Sequence, residues 1–430
     1  MKEFVELLRK ASDKIKSTDS TIQLVSHYDC DGITSAAIMA ATLLRLNKNF
    51  QITIVKRIKK EMIEEVSKRE PKLVIFTDIG SSYIDDIKNL ACDIIICDHH
   101  EIEGQLSENI IQINPEPYDI HLTGAGITYI LAREILQDNS LSPLAIIGTV
   151  GDMASVNSRI FENSQIEVER GLNLFGRFTR PIYKAVELSG IPDIGDASKA
   201  IQFLSEVGIE LQKDGEWRTL NDLTEEEKRR LADAIVKEKL KYGVFRKEEI
   251  FGDVLTLKNF PDELRDAKEF ATLLNACSRM GDSATGIALC LGSKKALEDA
   301  RGLMRGYKRY IANSLEWIRN NPEYIKQTDS ATYIVAKDNI HENLIGTVVS
   351  MLSDSSEKPM IGFANAEDGV KVSARSKTVN IHKVVREAAQ ICGGLGGGHA
   401  EAAGALIPAG SEEKFIETCE NLLKEKFIKA

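Results

Sequence analysis

The chain is poor in cysteine, lacks any long apolar run and carries no excess of positive charge. Its seven cysteines (Cys30, Cys92, Cys97, Cys277, Cys290, Cys392, Cys419) are scattered and odd in number. No CxxC spacing occurs, which excludes a disulfide framework and a zinc ribbon. No apolar stretch reaches the ~18–20 residues that span a bilayer. The first sixteen residues, MKEFVELLRKASDKIK, form a charged amphipathic pattern and not a signal peptide. A cytoplasmic protein with reduced thiols is expected. Lys and Arg number 55 against 65 Asp and Glu, a net charge of -10. That excludes a polybasic protein whose whole surface wraps nucleic acid, but not a local nucleic-acid site. No low-complexity tail and no repeat of 20–50 residues is evident.

What remains is an ordinary globular composition, 43% apolar and 28% charged, over 430 residues. That length suits roughly three domains of ~150 residues. Apolar runs at 21–27, 51–55, 72–78, 92–97 and 110–113 alternate with helical patterns at 33–46 and 59–69. Continuous Val/Ile runs between helices predict buried parallel strands in βαβ units. Residues 1–190 are therefore expected to form one α/β domain. Residues 191–325 read as helical, charge-rich and strand-poor, with Thr224 as a helix N-cap and one long helix over 295–319. Residues 326–430 return to a smaller α/β domain. Its strands are expected at 331–337, 359–365 and 369–375, its helices near 342–353, 380–390 and 411–427, with a glycine-rich loop at 392–405.

Ligands of parallel sheets bind at the carboxyl ends of strands, and acids gather there. His27, Asp29 and Asp31 follow the first strand at i, i+2 spacing, so an extended segment turns them to one side. Asp78 closes another strand, Asp98-His99-His100 a third, and Asp152 ends the apolar run from 144. Taken alone, an acid such as Asp78 is ordinarily a helix N-cap. Together, acids this close repel one another unless a cation is present. Mg²⁺ or Mn²⁺ suits carboxylate and imidazole, and one shared carboxylate fits a two-metal site that clamps the attacking and leaving oxygens at phosphorus.

SHYDCDGITSA, FTDIG, CDHHE and GTVGDMA, in that order, resemble the four motifs of the DHH phosphoesterase superfamily. GGLGGGHAEAAG resembles the signature of its DHHA1 partner domain. With the long block between them, the chain looks like the archaeal RecJ-like nucleases. The resemblance implies two lobes around a cleft, two divalent cations (Mn²⁺ preferred, Mg²⁺ possible) and phosphodiester hydrolysis. It places Asp29 and Asp31 on different metals, Asp78 as the bridge, and His99 and Asp152 on the second metal. His100 would steady substrate phosphate in the catalytic group, with Asp98 orienting a histidine beside it. His27 departs from the pattern. The small-phosphoesterase branch carries its ligand histidine four residues before the first Asp, where this chain has Val25. His27, two residues before it, is taken as a further ligand.

On the substrate side, Lys371, Arg375, Lys377, Lys383 and Arg386 bring five positive charges and no acid over 371–386. Arg375 can fork onto a phosphate. Gly397 and Gly398 let backbone N–H groups approach an anion, and His399 follows them. Arg301, Arg305, Lys308 and Arg309, interleaved with Tyr307 and Tyr310, suggest cations tracking a strand whose bases stack on tyrosine. The segment TGAGITY opens a helix whose N-terminus can face phosphate.

The function expected is a metal-dependent exonuclease of single-stranded DNA or RNA, in replication or repair. The alternatives are a small-substrate phosphodiesterase for nanoRNA or cyclic dinucleotides, and a replisome scaffold. Binding to a replication complex such as archaeal GINS is compatible with activity.

Overall fold

The computed structural model describes residues 2–154, 166–191, 193–242, 251–353 and 356–427. The chain divides into two compact units, 1–301 and 302–430. The division falls within the long helix Lys294–Asn320.

The first unit opens with helix α1 (Lys2–Ser17) and continues β1 (Ile22–His27), α2 (Cys30–Arg45), β2 (Phe50–Val55), α3 (Lys60–Lys68), β3 (Leu73–Thr77), α4 (Ile84–Ile87), β4 (Asp93–Cys97) and β5 (Ile110–Ile113). All five strands are parallel, in the order β2-β1-β3-β4-β5. Val74, Phe76, Ile94 and Ile96 face a core shared with Val66 of α3 and with Ile84 and Ile87 of α4. The other face packs on α2 and on α5 (Gly124–Leu136). The sheet is covered on both sides, which is why its strands are Ile/Val runs and do not alternate. Strand order reverses between β1 and β3, and the carboxyl ends of β1, β3 and β4 are adjacent. This switch point is where an open α/β sheet leaves room for a ligand.

The apolar run that ends at Asp152 is a helix, α6 (Ser142–Gly151). After it, β6 (Ile166–Leu172) pairs antiparallel with β9 (Phe251–Leu257), a ribbon that links the stretch before 190 to the strand-poor 191–325 block. Between them lie α7 (Ile182–Glu187), α8 (Ala197–Glu206), the short β7 (Gln212–Lys213) and β8 (Glu216–Trp217), and α9 (Glu225–Lys241), around their own core. Thr224 caps α9 as expected, in a capping box with Glu227. Helices Ala267–Arg279 and Ser283–Cys290 then return to pack on α2, the former also on α6.

The second unit is a six-stranded sheet ordered β10-β11-β12-β13-β15-β14. Its strands are β10 (Ile325–Gln327), β11 (Thr332–Lys337), β12 (Met360–Ala366), β13 (Gly369–Arg375), β14 (Leu395–His399) and β15 (Ala402–Ile407). Val370, Val372, Ala374, Ala403, Ala405 and Ile407 point to one face, into a core with helices Ile381–Ile391 and Glu412–Phe427. Helix Glu342–Ser353 packs on β12 and β13. The glycine-rich segment expected as a loop is in fact a hairpin whose first strand, β14, forms a sheet edge. Ladder hydrogen bonds hold it extended, and glycine suits a strand whose backbone must stay open to approach.

Candidate metal centre

Six side chains from three strand ends and one helix end converge in the first unit. β1 ends at His27, and Asp29 is the N-cap of α2, its carboxylate accepting from Gly32 N–H at 3.0 Å. Asp31 lies in the first turn of the same helix. Asp78 follows β3 with φ +57°, a left-handed backbone that is costly for a residue with a side chain. Its N–H is tied to Cys97 carbonyl at 2.8 Å. It caps no described helix, so the ordinary reading of a strand-end Asp fails here. His99 and His100 follow β4, and Asp152 is the C-cap of α6.

His27 Nδ1 lies 3.2 Å from Asp29 Oδ2 and 3.5 Å from Asp78 Oδ2. His99 Nε2 lies 3.3 Å from the other Asp78 oxygen, Oδ1, and 3.9 Å from both Asp31 and Asp152. Among the described residues three groups have their donor atoms within 4.8 Å of one another: His27/Asp29/Asp78, Asp31/His99/Asp152 and Asp78/Asp98/His99/His100, the first two sharing no residue. Asp78 touches these first two through different oxygens.

These residues fit divalent cations on four grounds. Asp78 Oδ1 and His27 Nδ1 are buried and make no hydrogen bond. Asp31 and Asp78 are 2% and 1% exposed. Burial pushes the Asp31 carboxyl well above its ordinary range, and the charges of Asp78, Asp152 and Asp29 add to this. Asp152 is raised too, by burial first and then by Asp78 and Asp29, and it sits at the helix end where the macrodipole is unfavourable to an anion. Such crowding of hard oxygen donors asks for positive charge. Burial disfavours the charged form of His99, yet Asp78, Asp31 and Asp152 outweigh it and raise the imidazole to about 10. In His27 the same contest against burial is won by Asp29 and Asp78, again upward.

Asp98 is placed differently. It is fully buried and both its oxygens serve the protein. Oδ2 accepts from Ser81 N–H at 2.8 Å, and Oδ1 accepts from His99 N–H at 2.8 Å and lies 2.7 Å from His100 Nδ1. Burial alone would raise this carboxyl, but the His100 contact, with Ser81 N–H, holds it well below the usual range. Asp98 thus turns the His100 ring so that Nε2 is left for a ligand, and the ring is half exposed.

Four further residues contribute through contacts that the sequence does not spell out. Gly124 and Ala125 donate backbone N–H groups to Asp31 Oδ2 at 2.7 Å and Oδ1 at 3.0 Å. The N-terminus of α5 therefore holds a protein carboxylate and not, as expected, a substrate phosphate. Ser81 accepts from Gln112 and Asn114 while its N–H fixes Asp98. Close approach also selects Gly148, where an added Cβ would stand 2.4 Å from Thr34 Oγ1 and 2.6 Å from Asp31 Oδ1.

The remaining sequence-predicted residues belong to the second unit. Lys371, Ser373 and Arg375 alternate on the face of β13 away from the core. Arg375 and His399 both register on Ala402, so they flank one row of the sheet about 10 Å apart at the usual strand spacing. Gly404 pairs with Gly397, and a Cβ at Gly404 would stand 3.4 Å from Lys371 Nζ. Gly397 and His399 are exposed, and nothing lies within 4 Å of a Cβ at Gly397. Gly398 has φ +133°, and a Cβ there would meet Ala402 carbonyl at 2.4 Å. Lys377, Lys383, Arg386 and Arg305 are all exposed. The stacking role expected of Tyr307 is not supported, since the ring is buried and its hydroxyl lies 3.2 Å from Thr347 Oγ1. Tyr310 accepts from His341 N–H, and Arg301 pairs with Glu263 in the first unit. The helical spacing was right, but packing took the tyrosines and one of the cations.

Comparison with known proteins agrees with this fold. Residues 21–149 match the DHH family N-terminal domain, 174–250 the DHH-CID domain and 330–425 the DHHA1 domain. An uncharacterized protein of Methanocaldococcus jannaschii is 28% identical over 453 residues, covering 99% of this chain and 98% of that protein. The single-stranded-DNA-specific exonuclease RecJ of Bacillus subtilis is 25% identical over 448 residues, covering 97% of this chain. Among solved structures, RecJ of Thermus thermophilus in complex with Mn²⁺ has TM-score 0.63 at 18% identity over 97% of this chain. CDC45 of Entamoeba histolytica has TM-score 0.62 at 14% identity, covering 98% of this chain and 99% of that one. The chain spans about half of both RecJ chains, 48% of the Bacillus protein and 55% of the Thermus structure. With the motifs and all three matched domains in agreement, the chain belongs to the DHH/DHHA1 phosphoesterase superfamily and is RecJ-like.

Proposed function

We propose that the protein is a metal-dependent exonuclease that hydrolyses terminal phosphodiester bonds of single-stranded nucleic acid. The observation that supports this best is the pair of donor groups, His27/Asp29/Asp78 and Asp31/His99/Asp152, joined through the two oxygens of Asp78. Asp29, Asp31, Asp78, His99 and Asp152 would hold two divalent cations, Mn²⁺ by preference, with His27 as a sixth ligand. Bound there, the cations would supply Lewis acidity at the phosphate oxygens and a lowered pKa for the attacking water.

The chain's own groups do the rest. Asp98 holds His100 by Nδ1, leaving Nε2 to donate to a phosphate oxygen. Asp98 raises the pKa of that ring against the effect of burial, which favours its protonated form. In the second unit Arg375, Lys371 and His399, with the open backbone at Gly397 and Gly398, bind the phosphates of the strand. Lys377 and Arg305 add longer-range attraction.

Digestion of 5′- and 3′-labelled single-stranded DNA and RNA, and of dinucleotides, with Mn²⁺ and with EDTA tests this reading. Mn²⁺-dependent release of mononucleotides from long strands, abolished in Asp78→Asn, is the expected result. Turnover of dinucleotides alone would move the assignment to a small-substrate phosphodiesterase. Full activity in EDTA or in Asp78→Asn would overturn the metal reading. A replisome scaffold is the second reading, and the likeness to CDC45 extends to fold alone. Capture of an archaeal GINS complex by a protein without hydrolytic activity would support that instead.

A further inference from the structure

Helix Ala267–Arg279 lies in a stretch that none of the three matched domains reaches. It packs nonetheless on α2 and α6, the helices whose ends carry Asp29, Asp31 and Asp152. Its Asn275 accepts, through Oδ1, a hydrogen bond from Cys30 backbone N–H at 3.2 Å. A backbone N–H can only donate, so the amide oxygen must face it. Cys30 is the first residue of α2 and stands between Asp29 and Asp31.

The first N–H groups of a helix have no partner within it. Asp29 satisfies Gly32 N–H, and Asn275 takes the N–H of the Asp29–Cys30 peptide. On its side-chain end Cys30 is equally constrained. Its Sγ lies 3.6 Å from Ile147 carbonyl, and a Cβ at Gly151 would stand 2.5 Å from it and 3.6 Å from Ala271. Cys30 is therefore held between α6 and helix Ala267–Arg279.

We propose that Asn275 is a positioning residue of the metal centre. It fixes the Asp29–Cys30 peptide and, through it, the direction in which Asp29 and Asp31 present their carboxylates. The same helix reaches the 174–250 segment at its other end, where Glu269 accepts from Gly176 and Arg177 N–H at 2.8 and 3.1 Å. The inference rests on the metal reading given above.

The test compares wild type, Asn275→Leu, which keeps the branching and loses the acceptor, and Asn275→Asp, which keeps the acceptor. Mn²⁺ binding by calorimetry, thermal midpoint without metal, and kcat and KM on a long single strand are measured on the full chain. Asn275→Leu is expected to weaken Mn²⁺ binding about 10- to 100-fold, the usual loss when a ligand's support is removed. Its kcat falls while KM for the strand is unchanged, and Asn275→Asp recovers most of the loss. A lowered midpoint with unchanged Mn²⁺ affinity would reduce Asn275 to helix packing and overturn the proposal. Should Asn275→Leu fail to fold, Asn275→Gln, with its acceptor displaced by one methylene, replaces it under the same two outcomes. Wild type that binds no Mn²⁺ would remove the metal reading and this inference together. Wild-type binding matched by the variant removes only the inference.

Discussion

In the first unit the two central carboxylates are withdrawn from water. Asp31 and Asp78 are all but fully buried, and every contributing element meets them with packed side chains or glycine. In the second unit the groups suited to an anion are less deeply covered: Lys371 and Arg375 are half-buried on one strip of sheet, while the glycine edge, His399 and the flanking cations are exposed. The two regions hold opposite charge by opposite means. Buried carboxylates gain affinity for a small, hard cation because water is excluded and their mutual repulsion is relieved on binding. A less covered strip offers many weak, screened contacts to a long anion, which suits a substrate that must slide after each cut. Substitutions in the first region should therefore act on the chemical step, and those in the second on KM and salt dependence.

The largest effect is expected from Asp78→Asn. Hydrolysis should fall on the order of 10³-fold or more, as when one member of a catalytic group acting as a unit is lost. Its metal-free thermal midpoint should stay within a few degrees of wild type or rise, because a buried charge among like charges is gone. A loss of fold would break the distinction between chemical and structural roles drawn here. Arg375→Ala comes next. KM for a long strand should rise about 10-fold, as a charged hydrogen bond is worth ~1.5–3 kcal/mol. The dependence of binding on salt should weaken by about one phosphate contact. A fall in kcat at saturating strand, with KM unchanged, would place Arg375 in the chemistry and blur the comparison.

Gly398→Ala sharpens it from the other side. Its positive φ and the 2.4 Å approach to Ala402 carbonyl should cost about 1–3 kcal/mol of stability, read by urea unfolding. Mn²⁺ affinity should not change.

The smallest effect concerns an acid that already has its counter-charge. Arg218 lies 2.7 Å from Glu227, and this contact lowers the Glu227 carboxyl to about 2. A depressed carboxyl contributes stability that is complete above the unfolded value of ~4.3. That contribution is lost as pH falls toward 2. Glu227→Gln should therefore destabilise by about 1.5 kcal/mol at pH 7, a difference that shrinks through pH 4 and is nearly gone at pH 2. A constant difference across that range would show that packing, and not charge, holds the pair.

Much of the first region was legible in the chain. A parallel sheet announces itself in uninterrupted Ile/Val runs, and the residues after each run must fall at one edge, so His27, Asp29, Asp31, Asp78 and His99 could be grouped before any coordinates. The supporting place of Asp98 came from the resemblance to the DHH family and not from the residues alone. The roles of Gly124, Ala125 and Asn275 were not legible, since a backbone N–H or a single Asn within a helix carries no pattern. The second region was read less well. A run of glycines signals freedom of the backbone, and only pairing with β15 shows that this freedom is spent on an open strand. Tyr307 shows the same limit, as helical spacing places it on a face without saying which face is buried.

The sequence by itself determined the kinds of donor, their order and their place at strand ends, because local periodicity and turn chemistry depend on near neighbours in the chain. Only the tertiary structure decided that Asp78 divides its two oxygens between two groups. It also decided that Asp31 is held by α5 and that a helix some 245 residues away grips Cys30. Those are contacts between elements distant in sequence, and their geometry follows from how the core packs.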